Sequence, residues 1–114
     1  MKTLDHVQIT EKQLAALGEI KRRLLEKFAI NTLILYGSVS RNQADEESDV
    51  DLLVVTSNQL TRYERHQITD AVFEVNLQYE TNFSTLVIDY QSWETGIFSV
   101  LPIRDEIIRD GIQV

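Results

Sequence analysis

The sequence predicts a one-domain α/β (α+β) fold over residues 1–114, and three observations predict it. Two stretches repeat apolar residues at helical spacing, each behind a capping-box pair, Thr10 with Gln13 and Thr61 with Glu64. Three short runs, 32–36, 50–55 and 83–88, are dense in β-forming residues. No repeat, low-complexity stretch or linker separates them, so helices and strands belong to one unit.

Taken in order, residues 1–9 are a short lead to which no role is assigned. Leu14, Leu17, Leu24, Leu25 and Phe28 recur on one face of a helix predicted over 11–28. Lys21, Arg22, Arg23 and Lys27 give that helix a basic exposed face, read as solvated surface or as a contact for an acidic partner. Thr32 to Tyr36 is a strand short and apolar enough to be buried on both sides. Gly37 and Ser38 end it, a short helix is expected through about Gln43, and an acidic loop over 44–48 leads into the strand Val50 to Val55. Ile68, Ala71, Val72, Val75 and Tyr79 form the apolar stripe of a helix over 62–79. Phe83 to Ile88 is the third strand, and Trp93 falls in a turn or short helix after it. Pro102 opens a terminal helix through about Arg109, Gly111 stops it, and Ile112 to Val114 add a short edge strand.

Composition narrows the function classes. Hydrophobic residues at 43% and charged residues at 25% describe an ordinary soluble globular chain. A net charge of −7 repels nucleic acid and anionic membrane, so no direct nucleic-acid binding is expected. The absence of cysteine excludes disulfides, thiolate metal sites and cysteine nucleophiles. No membrane span or signal-peptide core is legible, and a cytoplasmic location is expected.

The chemistry is concentrated between Leu35 and Val55, LYGSVSRNQADEESDVDLLVV. Side chains alternate along a strand, so Asp49 and Asp51 point one way while Val50 and Leu52 point the other. Two carboxylates on one face repel each other and resist burial unless a cation joins them. Hard oxygen donors of this kind suit Mg²⁺, which usually takes one or two carboxylates plus substrate phosphates. Gly37 and Ser38 supply the complement: glycine permits close approach of backbone to a ligand, and a helix opening there aims free N–H groups at phosphate. Arg41 lies one helical turn beyond Ser38 and shares its face.

With ten residues between Ser38 and Asp49, the arrangement Gly-Ser, Arg41, SDVDLLVV resembles the minimal nucleotidyltransferase (MNT) domain of the DNA polymerase β superfamily, of the MNT/HEPN antitoxin type. The preceding helix, the following helix and the closing IIRDGI segment also stand in that family's order, so the resemblance covers nearly the whole chain. It implies a palm-like nucleotidyltransferase fold, a small mixed sheet with helices packed on it. It implies that Asp49 and Asp51 are catalytic and hold Mg²⁺, with two cation sites possible, and that Gly37, Ser38 and Arg41 bind the phosphates of ATP or another NTP. It further implies a third carboxylate on the third strand. Thr85 is placed at that position, and Asp89, on the same face by alternation, lies about 13 Å further along.

A chain of this length is expected to lack the helical second domain of larger relatives, and the resemblance implies a companion: a small helical HEPN-type protein, or self-association. An apolar patch near Trp93, Phe98 and the terminal helix is expected to serve it, Trp93 and Phe98 being read as core or partner surface. The implied reaction is transfer of AMP from ATP to a protein hydroxyl. The alternative is a nucleotide-binding, weakly active or inactive module that neutralises its partner by contact, because the third carboxylate is missing. His6 and His66 are read as surface histidines.

Overall fold

The computed structural model describes residues 9–37 and 49–114. The lead with His6, Ser38, Arg41, Ser48, the short helix expected to Gln43 and the acidic loop 44–48 lie outside the described residues.

Helix α1 (Glu11–Lys27) begins at a complete capping box, Thr10 accepting from the Gln13 amide while Gln13 accepts from the Thr10 amide. Strand β1 (Ile30–Tyr36) pairs antiparallel with β2 (Val50–Thr56), with one irregularity between Ile30 and Thr32. Helix α2 (Arg62–Tyr79) repeats the device with Thr61 and Glu64, and ends at Glu80, which adopts the left-handed conformation at φ 56°. Strand β3 (Phe83–Asp89) then returns parallel to β2. Helix α3 (Tyr90–Glu94), a 3-10 turn (Ile97–Val100) and α4 (Pro102–Asp110) follow, and β4 (Ile112–Gln113) closes antiparallel on β1. The four-stranded sheet has the order β3-β2-β1-β4. A mixed sheet with helices on it is thus the observed architecture.

Helices pack on both faces of the sheet, and alternation decides which residue serves which face. Leu33, Leu35, Val50, Leu52, Val54 and Phe83 join Leu17, Ile20, Leu24, Ile68, Val72 and Val75 in a core under α1 and α2. Ile34, Leu53, Val55 and Ile88 point the other way and pack with Trp93 and Ile107 from α3 and α4. Burial on both sides explains why β1 and β2 read as continuous apolar runs.

The apolar stripe of α1 differs from the expected one. Leu14 and Leu25 are about half exposed, and the buried face is Gln13, Ala16, Leu17, Ile20 and Leu24. The expected basic face is also partly structural. Arg23 donates to Glu19 on its own helix at 2.8 Å and to Glu74 and Gln78 on α2 at 3.2 and 3.0 Å, tying the two helices together. Trp93 is buried: its ring lies 5.6 Å from Phe98, and the Arg104 guanidinium sits 5.2 Å over it. The most exposed apolar residues of that region are Ile97 and Val100, at 82% and 77%, and Leu101 and Ile108, at the start of and on α4, are exposed as well. Among the described residues no helix is long and apolar enough to cross a membrane.

Candidate active site

The ends of β1, β2 and β3 bring three polar side chains into one row. Directly opposed residues in a sheet carry their side chains on the same face. Tyr36 opposes Asp51 across β1 and β2, and Asp51 opposes Ser84 across β2 and β3. The flanking residues fix the direction: Val50 and Leu52 enter the α1–α2 core, so Asp51 looks toward the α3–α4 side with Leu53. Tyr36 packs against that second core and is half-buried, Asp51 is half-buried, and Ser84 is exposed. Burial pushes the Tyr36 phenol above its ordinary pKa, and the charge of Asp51 adds to the push.

Gly37 closes the row. It follows β1 with φ +80°, a backbone conformation that side-chain-bearing residues rarely adopt, and a Cβ there would lie 2.3 Å from Asp51 Oδ2. Glycine is thus required twice at this position, for the turn and for the carboxylate that fills the space beside it. Asp49 stands exposed just before β2, where the Val50 amide is already bonded to Asn82 O at 2.9 Å. Asp49 and Ser84 line a cleft of about 590 Å³ whose wall includes Phe73 and Leu77 of α2. On the other side, Tyr36 and Gly37 line a smaller hollow of about 160 Å³ with Ile103, Glu106 and Asp110 of α4.

The third-strand expectation needs correction. Thr85 opposes Leu52, whose side chain is in the α1–α2 core, so Thr85 stands on the face away from Asp51. Asp89 opposes Thr56, five residues and roughly 16 Å along β2 from Asp51. Its carboxylate is also occupied, accepting from the Ser92 amide at 2.9 Å and the Ser92 hydroxyl at 2.8 Å as the N-cap of α3. Those bonds hold the Asp89 carboxyl below its usual pKa. Neither residue stands beside Asp51; Ser84 does.

Two residues that sequence reasoning passed over position this row. Asn76 near the end of α2 donates to Phe83 O at 2.9 Å, accepts from Phe83 N at 2.9 Å and accepts from the Thr81 hydroxyl at 3.0 Å. It thereby sets where β3 begins, hence that Ser84 opposes Asp51. A helix-end Asn seven residues before a strand was the available signal. Tyr36 was legible as the last strand residue, and only the pairing reveals it as a neighbour of Asp51.

Comparison with known proteins identifies the family and the fold. The family described as polymerase beta, nucleotidyltransferase matches residues 18–113. A Methanocaldococcus jannaschii protein provisionally named a protein adenylyltransferase is 36% identical over 77 residues, 64% of this chain and 52% of that protein. An aminoglycoside nucleotidyltransferase (4′) of Staphylococcus aureus is 26% identical over 109 residues, 87% of this chain and 42% of that enzyme. The chain spans about half the length of these curated relatives. Among solved structures, a toxin–antitoxin crystal structure with AMP-PNP superposes with a TM-score of 0.58 at 15% identity, over 84% of this chain and 69% of that one. A chain from the complex of a tri-AMPylated Shewanella oneidensis HEPN toxin with its MNT antitoxin gives 0.51 at 16% identity, over 90% and 70%. At these identities the superpositions show a shared fold, and the family match extends over nearly the whole sequence. The chain belongs to the polymerase β nucleotidyltransferase family.

Proposed function

We propose that the chain binds a nucleoside triphosphate and a divalent cation at the Gly37–Asp51 corner and transfers the nucleotidyl group, AMP from ATP, to a hydroxyl of a partner protein. The observation that carries this reading is the contact between a positive-φ glycine and a strand-borne carboxylate. A turn of that kind lets phosphate oxygens approach the backbone, and the carboxylate beside it supplies the charge a cation needs.

The donor set fits Mg²⁺. Asp49 and Asp51 offer hard oxygen ligands, and among the described residues no group of three His, Cys, Asp or Glu could hold an ion alone. The remaining ligands would come from phosphate oxygens and water, the usual habit of Mg²⁺. The cation, when bound, neutralises phosphate charge. Asp49 and Asp51 would hold it, Gly37 and Ser38 would cradle the β- and γ-phosphates, and Arg41 would add a positive charge to them. The acceptor oxygen bonds to the α-phosphorus, the α–β phosphoanhydride breaks, pyrophosphate leaves, and the hydroxyl proton passes to solvent. Positioning and charge compensation supply most of the catalysis in such transfers.

The acceptor is proposed to belong to a small helical HEPN-type protein. The relatives named for protein adenylyltransfer and the fold shared with toxin–antitoxin complexes support that choice. The test is incorporation of labelled AMP from ATP into such a partner, lost in Asp51→Asn. A second reading, a nucleotide-binding module that acts by contact, is favoured by one observation: the hydroxyl of Ser84, not a carboxylate, stands beside Asp51. Binding without incorporation, at any partner concentration, would select it.

A further inference from the structure

The row Tyr36–Asp51–Ser84 also bears on how many cations the site holds. We propose that Ser84 limits the site to a single divalent cation, held jointly by the carboxylates and the bound nucleotide; this rests on the reading of Asp49 and Asp51 given above. On the face of Asp51, the neighbour on β1 is a phenol and the neighbour on β3 is a hydroxyl, both neutral. Further along β3 the same face carries Leu86 and Ile88, which pack into the α3–α4 core and offer no donor. The nearest carboxylate on β3, Asp89, is committed to Ser92.

Two divalent cations bring four positive charges. Centres that hold them as a close pair surround both ions with anionic ligands. Among the described residues the ends of β1, β2 and β3 at this corner carry two negative charges, Asp49 and Asp51; Glu106 and Asp110 of α4 line the hollow beyond Tyr36 and Gly37 but form no group of three carboxylates with them, and the nucleotide adds the rest. A neutral hydroxyl at Ser84 is a weak ligand and offsets no charge, so among the described residues of β3 nothing beside Asp51 anchors a second ion. Ser84 is exposed and borders the same cleft as Asp49, so a carboxylate placed there can reach the ion without entering the core.

The experiment is a count of Mn²⁺ retained per bound nucleotide by the full chain, in equilibrium dialysis against Mn²⁺ and a β,γ-imido analogue of ATP, with free Mn²⁺ read by electron paramagnetic resonance. The native chain should retain one Mn²⁺ per bound nucleotide. Ser84→Asp should retain two, the second ion binding on the order of tenfold or more tighter than to the native chain. Thr85→Asp, on the opposite face, should still retain one and should melt at a lower temperature. A native count of two overturns the proposal whether or not the variants fold. So does a count of one in a Ser84→Asp chain that melts cooperatively and still binds the analogue. Asp51→Asn separates the two claims: if it retains ion and analogue at native levels, the reading of Asp51 as a ligand fails, and the inference about Ser84 falls with it.

Discussion

Gly37 and Asp51 compete for the same space: a Cβ on Gly37 would lie 2.3 Å from Asp51 Oδ2, inside any permitted contact. Gly37→Ala therefore has to move the carboxylate, the turn, or both. The positive φ alone costs about 1–2 kcal/mol for a residue with a side chain, and the displaced carboxylate adds to it. Urea unfolding should show that loss, and stabilisation by Mg²⁺-ATP should fall with it. An alanine variant of native stability and native nucleotide response would mean that the turn adapts freely.

Asn76 should matter more than its half-polar position on a surface helix suggests. Its amide closes hydrogen bonds with both backbone groups of Phe83 and with Thr81. At about 1 kcal/mol for each bond lost, Asn76→Ala should cost about 2–3 kcal/mol in urea unfolding. Asn76→Asp should recover part of this, since it keeps the acceptor that Phe83 N and Thr81 use, and loses the donor to Phe83 O. A neutral Asn76→Ala would show that β3 is registered by its apolar side chains alone.

Asp89 is a structural residue in this account. Asp89→Ala should cost about 1 kcal/mol, the usual worth of an N-cap, and leave nucleotide binding untouched. Because its folded pKa is lowered, first by the Ser92 amide, its contribution is full above the unfolded value and is lost as pH falls through the folded value. Melting curves and Mg²⁺-ATP titrations of the variant check both statements. Loss of nucleotide binding in Asp89→Ala would return it to the site.

Acid sensitivity should arise on α1 as well. Hydrogen bonds from Arg22, then Arg23, lower the Glu19 pKa from 4.5 to about 2. The folded state thus binds fewer protons than the unfolded one between these values, and stability falls as pH drops from about 4.5 toward 2. Glu19→Gln should flatten the stability profile in that window and lower stability at pH 7 by the amount the native chain loses across it. An unchanged slope would assign the acid transition to other carboxylates.

Local chemistry was the most legible part of this chain. Both capping boxes, the proline at the start of α4 and the burial of β1 on both sides follow from residues adjacent in sequence. What escaped sequence reading depends on pairing across the chain. Thr85 and Ser84 differ by one residue, and one residue flips a strand's face. The choice between them required knowing that Phe83 opposes Val50, which Asn76 enforces from another element. Leu14 and Leu25 lie at the margin of the helical stripe, and only the position of α2 decides that Gln13, Ala16 and Ile20 are the buried residues. Arg23 looked solvated because its partners Glu74 and Gln78 are some fifty residues away. Of the candidate site, the turn at Gly37 after β1 and the placement of Asp49 and Asp51 at the start of β2 were readable in sequence, whereas Ser38 and Arg41 lie outside the described residues.

The most direct measurement is the melting temperature of the native chain and of the double variant Asp49→Ala with Asp51→Ala, each with and without Mg²⁺-ATP. A ligand that binds only the folded state at a hundred times its Kd stabilises by about 2.7 kcal/mol, about ten degrees for a chain of this size. The account predicts such a rise for the native chain with Mg²⁺ and ATP together, and none for the double variant. A full rise in the double variant would contradict it, because nucleotide and cation would then bind somewhere other than the corner formed by Gly37 and Asp51.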